Sequence, residues 1–224
     1  MASREFSTIG FERRNNPALQ LSRDDFIRRK VQEHHYQPPY FKRMERYNPE
    51  GPLRLGTMPT LKPYGHSGFC DLIKEGVQVV DVRSPEAFAG AYIPGSLAIP
   101  LNMIPAFAGW FLDDGREIGL VVSEYEQVEQ AVRHLVRIGY DRYAGFLDGG
   151  LAAWETGGRR YDQIPAIYAG DLKKRLESGD DFTLLDVRKK EEYEAGHLEG
   201  ALHIYLGELP ENLDKIPNKR PVTT

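Results

Sequence analysis

The sequence predicts an α/β protein: a central parallel sheet flanked by helices. Two apolar runs rich in β-branched residues, VQVVDV (Val77–Val82) and IGLVV (Ile118–Val122), read as strands buried on both faces. Between Glu126 and Ile138, the residues Val128, Ala131, Val132, Leu135 and Val136 fall on one helical stripe. The pattern of Val80–Leu101 also returns at Leu185–Leu206, so one supersecondary unit is started twice. Strands alternating with helices in this way specify an α/β domain.

Taken in order, SRDDFIRRKVQEH opens on Ser22 as an N-cap, with Asp25 three residues on as an acidic relative of the capping box. A helix is expected there, stopped by Pro38 and Pro39, because proline lacks the backbone N–H and disfavours a helical residue before it. The six prolines from Pro38 to Pro63 predict a connector without regular structure. The two strands follow, with YAGFL (Tyr143–Leu147) as a third and weaker one. The stripe between the last two is closed by Gly139 as its C-terminal glycine. Val80–Leu101 aligns on Leu185–Leu206 without gaps at an offset of 105 residues, and eight of the 22 positions are identical. In each, an apolar strand ends in Asp-Val-Arg, a short acidic helix follows, and a Gly turn leads to a second apolar segment.

Composition narrows the classes of function. The chain of 224 residues is 41% hydrophobic, enough for a core, and carries a net charge of −4. That balance gives no footing for nucleic acid, which wants a clustered basic face. No apolar run is long enough to span a membrane, and the charged N-terminus does not read as a signal peptide. The single Cys70 makes an internal disulfide framework impossible, and together these features predict the cytoplasm.

Three stretches carry a resemblance: VVDVRSPEAFAGAYIPGSLAIPL, RIGYDRYAGFLDGGLAAW and LLDVRKKEEYEAGHLEGA. Their D-V-R, G-H-[IL]-x-G-A and L-D-G-G-x-x-A-W signatures resemble the rhodanese family of sulfurtransferase-fold domains, over about Thr60 to Thr224. The opening STIGFERRNNPALQLSRDDFIRRKVQ is similar to the C-terminal tail of a metallo-β-lactamase-fold hydrolase, of the persulfide dioxygenase and glyoxalase II-like type fused to two rhodanese domains. The resemblance implies three parts. Residues 1–58 would be hydrolase tail and connector, 59–162 a rhodanese-like domain, and 163–224 an incomplete second one. In the first copy 73 residues separate Asp81 from Trp154. The same count from Asp186 runs past Thr224, so the second copy is expected to stop before its loop, with KRPVTT as the first step of the next strand.

Rhodanese chemistry needs a cysteine at a strand-to-helix junction, where the thiolate takes up sulfur and loop N–H groups hold the developing charge. The corresponding loop here is Ser123, Glu124, Tyr125, Glu126, Gln127, Val128 and Glu129, with no thiol, no glycine and no arginine. Ser123 as a nucleophile would need a neighbouring base, and no His or Lys lies in the loop. With Glu126 it instead spells a capping box. Glu124, Glu126 and Glu129 on a first helical turn would take up the positive helix end, worth roughly 0.3–1 kcal/mol each, and repel a sulfur anion. A degenerate loop with no catalytic residue is the expectation. Asp81, Arg83, Asp186 and Arg188 are expected to brace their loops as ion pairs, and His197 occupies a position that the resemblance makes structural. Cys70 reads as a small packed residue on a helix, with His66 four positions earlier as the reactive alternative. Trp110 and Phe111 would line the old pocket or fill core. His34 and His35 are adjacent and point apart on a helix, so no metal and no cofactor are expected. The expected role is a catalytically silent scaffold or interaction module from a sulfur-metabolism fusion protein. The alternative is a thiosulfate or persulfide sulfurtransferase whose cysteine lies beyond residue 224 in the natural gene. Expected partners are a second copy or a metallo-β-lactamase-fold domain, with neither nucleic acid nor membrane.

Overall fold

In the computed structural model, which describes residues 6–33, 35–52 and 54–224, the apolar runs become two parallel sheets. The chain divides into two units, the first ending at Gln37 and the second running from Pro38 to Thr224. The first unit holds helices α1 (Ile9–Asn15) and α2 (Arg23–Gln32). Ser22 caps α2 as its sequence predicts: its hydroxyl accepts from the Asp25 N–H at 3.1 Å and bonds the Asp25 carboxylate at 2.5 Å. The helix stops at Gln32, before the prolines are reached.

The connector expected to lack regular structure instead contains α3 (Phe41–Glu50). Its prolines are grouped at the ends. Pro38 and Pro39 precede the helix and Pro49 falls in its last turn, where the missing N–H removes a single bond. Gly51 then closes it at φ +80°, in the left-handed region that favours glycine. Beyond it lie β1 (Pro63–Tyr64), α4 (His66–Lys74), β2 (Gln78–Asp81), α5 (Pro85–Gly90), β3 (Leu97–Ala98), α6 (Ile104–Phe111), β4 (Ile118–Val121), α7 (Glu126–Arg137), β5 (Tyr143–Leu147) and α8 (Gly150–Thr156). The five strands are parallel in the order β1-β5-β4-β2-β3.

Alternation along the strands divides the core. On one face Val80, Val82, Leu120 and Val122 pack on Ile104 and Ala108 of α6 and on Val128, Ala131, Val132 and Leu135 of α7. On the other, Val79, Val121 and Leu147 pack on Phe69 of α4 and Trp154 of α8. All four residues of both β2 and β4 are buried, which explains their unbroken apolar sequence. Helix α7 ends as the sequence predicts. Gly139 takes φ +82°, its N–H bonds the Val136 carbonyl, and the Tyr140 N–H bonds that of Leu135.

The remaining chain forms α9 (Ala169–Ser178), β6 (Thr183–Asp186), α10 (Lys190–Ala195), β7 (Leu202–His203) and β8 (Val222–Thr223). Elements β6, α10 and β7 lie 105 residues after β2, α5 and β3, residue for residue. Their sheet is parallel in the order β7-β6-β8. It is less covered: β6 is buried only at Thr183 and Leu185, and β7 and β8 hold no buried residue. It rests on the first sheet's helices through Trp110, whose indole packs edge-on to Tyr205 at 5.7 Å and lies against Gly207.

Candidate functional site

The carboxyl end of a central parallel strand is where an α/β sheet opens its crevice. Here that place is the turn Ser123–Tyr125 between β4 and α7. All three residues are exposed, and Val128 is the first buried side chain beyond them. The predicted capping box does not form. The capping position of α7 is Tyr125, whose side chain makes no capping bond, and Glu126 is the first helical residue. The acceptor is Gln127 instead. Its side-chain oxygen accepts from the Ser123 N–H at 2.8 Å and the Glu124 N–H at 3.1 Å. Two of the turn's amides are therefore satisfied from one residue inside the helix, and Ser123 has no capping role. Glu124 precedes the helix; Glu126 and Glu129 occupy its first turn, and Glu129 pairs with Arg133 at 2.6 Å. The Tyr125 ring packs edge-on to Phe146 at 5.6 Å.

The two Asp-Val-Arg motifs form the same brace. In the first, Arg83 Nε reaches both Asp81 oxygens, at 2.8 and 3.0 Å. Its Nη2 donates to Asp81 Oδ2 at 2.6 Å and to the Ala91 carbonyl at 2.7 Å. In the second, Arg188 Nε meets Asp186 at 3.0 and 3.1 Å, and Nη2 donates to Asp186 at 2.5 Å and to the Gly196 carbonyl at 3.0 Å. The hydrogen bonds from Arg188 hold the Asp186 carboxyl below its usual range, and the Arg188 guanidinium is raised in turn. The Ala91 and Gly196 carbonyls have no signature in sequence; only the fold brings them to the arginine.

The remaining candidates are scattered. His197 stacks on Tyr193 at 3.8 Å and its Nδ1 bonds the Tyr193 carbonyl at 2.9 Å. His203 stacks on the same ring at 4.3 Å, a sandwich that the sequence reading missed. Cys70 is half-buried on α4 and packs against the cluster of Phe69 and Trp154. His66 is turned to Ser67 at 3.2 Å and Arg159 at 3.5 Å. Trp110 joins the two sheets, as above. Phe111 lines a cavity of about 490 Å³ with Leu97, Ile99, Phe107 and Leu206, none of which belongs to the 123–129 turn. His34 lies outside the described residues. The described residues bring no three metal-ligating side chains together.

The family described as rhodanese-like domain matches residues 70–156 and 168–224. A sulfurtransferase of Allochromatium vinosum is 32% identical over 84 residues, which is 38% of this chain and 77% of that protein. The HTH-type transcriptional regulator Rv0324 of Mycobacterium tuberculosis is 42% identical over 57 residues, 25% of either protein, so the chain spans about a quarter of that relative's length. Among solved structures, a metallo-beta-lactamase from Staphylococcus aureus aligns at 30% identity with a TM-score of 0.53, over 63% of this chain and 40% of that one.

Proposed function

The chain belongs to the rhodanese-like domain family, and from that premise we propose that it is a catalytically silent scaffold or interaction module of a sulfur-metabolism protein. One observation carries the reading. The turn after β4 presents Ser123 without a thiol, and the chain's single cysteine is on α4, packed against the core. A hydroxyl does no nucleophilic work without a base positioned on it; the turn holds no His or Lys, and none of its carboxylates is bonded to the Ser123 hydroxyl. The likeness to a Staphylococcus aureus metallo-beta-lactamase supports a fusion in which a hydrolase of that fold precedes tandem rhodanese-like domains. That hydrolase domain, or a second copy of this chain, is the partner we propose, in the cytoplasm. No described helix is long and apolar enough to cross a membrane.

The test is cyanide-dependent thiosulfate sulfurtransferase activity of the purified chain. No turnover above a protein-free blank is expected. Turnover that disappears in a Cys70→Ser variant would overturn the reading.

A second reading is favoured by β8. It pairs with β6 at Thr183–Val222, as β4 pairs with β2 at Gln78–Ile118. In a longer natural form, the loop following β8 would stand where Ser123 stands after β4. A cysteine there would make the whole protein a thiosulfate or persulfide sulfurtransferase, and the same assay on that longer form decides it.

A further inference from the structure

Two consecutive N–H groups, those of Ser123 and Glu124, converge on one oxygen of Gln127 at 2.8 and 3.1 Å. Successive backbone donors aimed at one point form a nest, a concavity that attracts a negatively charged or carbonyl oxygen. We propose that Gln127 is a built-in plug of this nest, so that its two donors are satisfied without a ligand and the nest is closed to one. The proposal rests on the silent reading of the same turn and says how the silence is enforced.

The chemistry of the plug suits its surroundings. Glu124 lies in the turn, Glu126 follows it and Glu129 lies about one helical turn on, all exposed. An external anion would have to approach through these carboxylates, whereas a carboxamide oxygen accepts both hydrogen bonds while carrying no charge. Gln127 is also well placed to hold still. It is half-buried at the second position of α7, a helix anchored by the buried Val128, Ala131, Val132 and Leu135. Its reach back to Ser123 and Glu124 spans four and three residues, which keeps the closure local and independent of the rest of the fold.

Amide hydrogen exchange of the full chain, read by NMR, tests the plug. Gln127→Met keeps the length of the side chain and removes the acceptor. The Ser123 and Glu124 amides should then exchange about five- to tenfold faster, the change that loss of one ordinary net hydrogen bond gives. The α7 amides from Ala131 onward should not change. Gln127→Glu restores an acceptor, now charge-assisted, and should return both amides to protection. Thiosulfate added to the wild-type chain should leave these two signals in place. Unchanged exchange in Gln127→Met, acceleration spread evenly along α7, failure of the Gln127→Glu rescue, or a thiosulfate-induced shift in the wild type would each overturn the plug. Sulfurtransferase turnover by a chain whose two amides stay protected would instead sink the silent reading and leave the plug standing.

Discussion

The docking of α3 can be tested by a substitution whose sign should reverse. Gly109 lies inside α6, where replacing glycine by alanine ordinarily stabilises by roughly 1 kcal/mol. In this fold the added Cβ would fall 2.0 Å from Cδ1 and 2.5 Å from Cε1 of Tyr40, the residue that leads into α3. The ring must leave its seat, and overpacking of this kind costs about 1–3 kcal/mol. Gly109→Ala should therefore destabilise the chain by about 1–2 kcal/mol. In a Tyr40→Ala background the obstacle is gone, and the same substitution should stabilise by roughly 1 kcal/mol. The coupling is then about 2–3 kcal/mol, at the high end for residues in contact. For a chain of this size each kcal/mol moves the melting midpoint by about 2–4 °C, so a double-mutant cycle followed by thermal and urea unfolding resolves the reversal. Additive effects, with Gly109→Ala destabilising in both backgrounds, would refute the claim that Tyr40 occupies the notch at Gly109.

The braces give two further tests. Asp81→Ala leaves the Arg83 guanidinium buried without its partner and should destabilise by about 3–5 kcal/mol, whereas Asp186→Ala, beside a half-exposed Arg188, should lose far less by the same urea titration. Because the folded Asp186 carboxyl titrates below its ordinary value of about 3.9, its pairing contributes stability above that pH and loses it as the pH falls through the lowered value. The acid limb of the unfolding curve should therefore flatten in Asp186→Asn, and an unaltered limb would mean the pair contributes nothing. Strand β6 is half-covered where β2 is fully buried, so Thr183–Asp186 amides should exchange faster than Gln78–Asp81 amides in a dilute sample; equal protection would contradict this. Gly207→Ala would drive a Cβ to 2.6 Å from the Trp110 indole and should accelerate exchange in β6 while sparing β2.

What the sequence made legible follows from which forces act locally. Strands β2 and β4 announce themselves because burial on both faces demands unbroken apolar residues, and α7 because one face alone is buried. Helix α3 is hidden among prolines that fall at its ends: Phe41–Asn48 is free of them, and its partners Gly109, Asp114 and Ile138 lie far off in sequence. Arg43 bonds Asp114 at 2.9 Å and the Ile138 carbonyl at 3.0 Å, and its guanidinium stacks over Tyr140, contacts that local pattern cannot encode. The capping box at Ser123 failed for a different reason. The motif was present, but a glutamine at the next position took the Ser123 N–H that the Glu126 side chain would have accepted, and the Glu124 N–H with it. That competitor was in plain view four residues after Ser123.

The Asp-Val-Arg motif separates a role in folding from a role in chemistry, because the chain presents it in two degrees of burial. The Arg83 side chain is 8% exposed and that of Arg188 is 46% exposed, yet both make the same bonds. Each arginine ties the carboxylate at the end of its strand to a carbonyl just past the following short helix, Ala91 in one case and Gly196 in the other. A bond set that survives such a change of solvent access is fixed by the local geometry of strand, turn and helix. In the buried motif both Asp81 oxygens are engaged by Arg83, whose own N–H also bonds Oδ1 at 3.1 Å, so the carboxylate is committed to the brace. The motif's recurrence is therefore explained by how it closes a turn, which commits Asp81 and Arg83 to the fold.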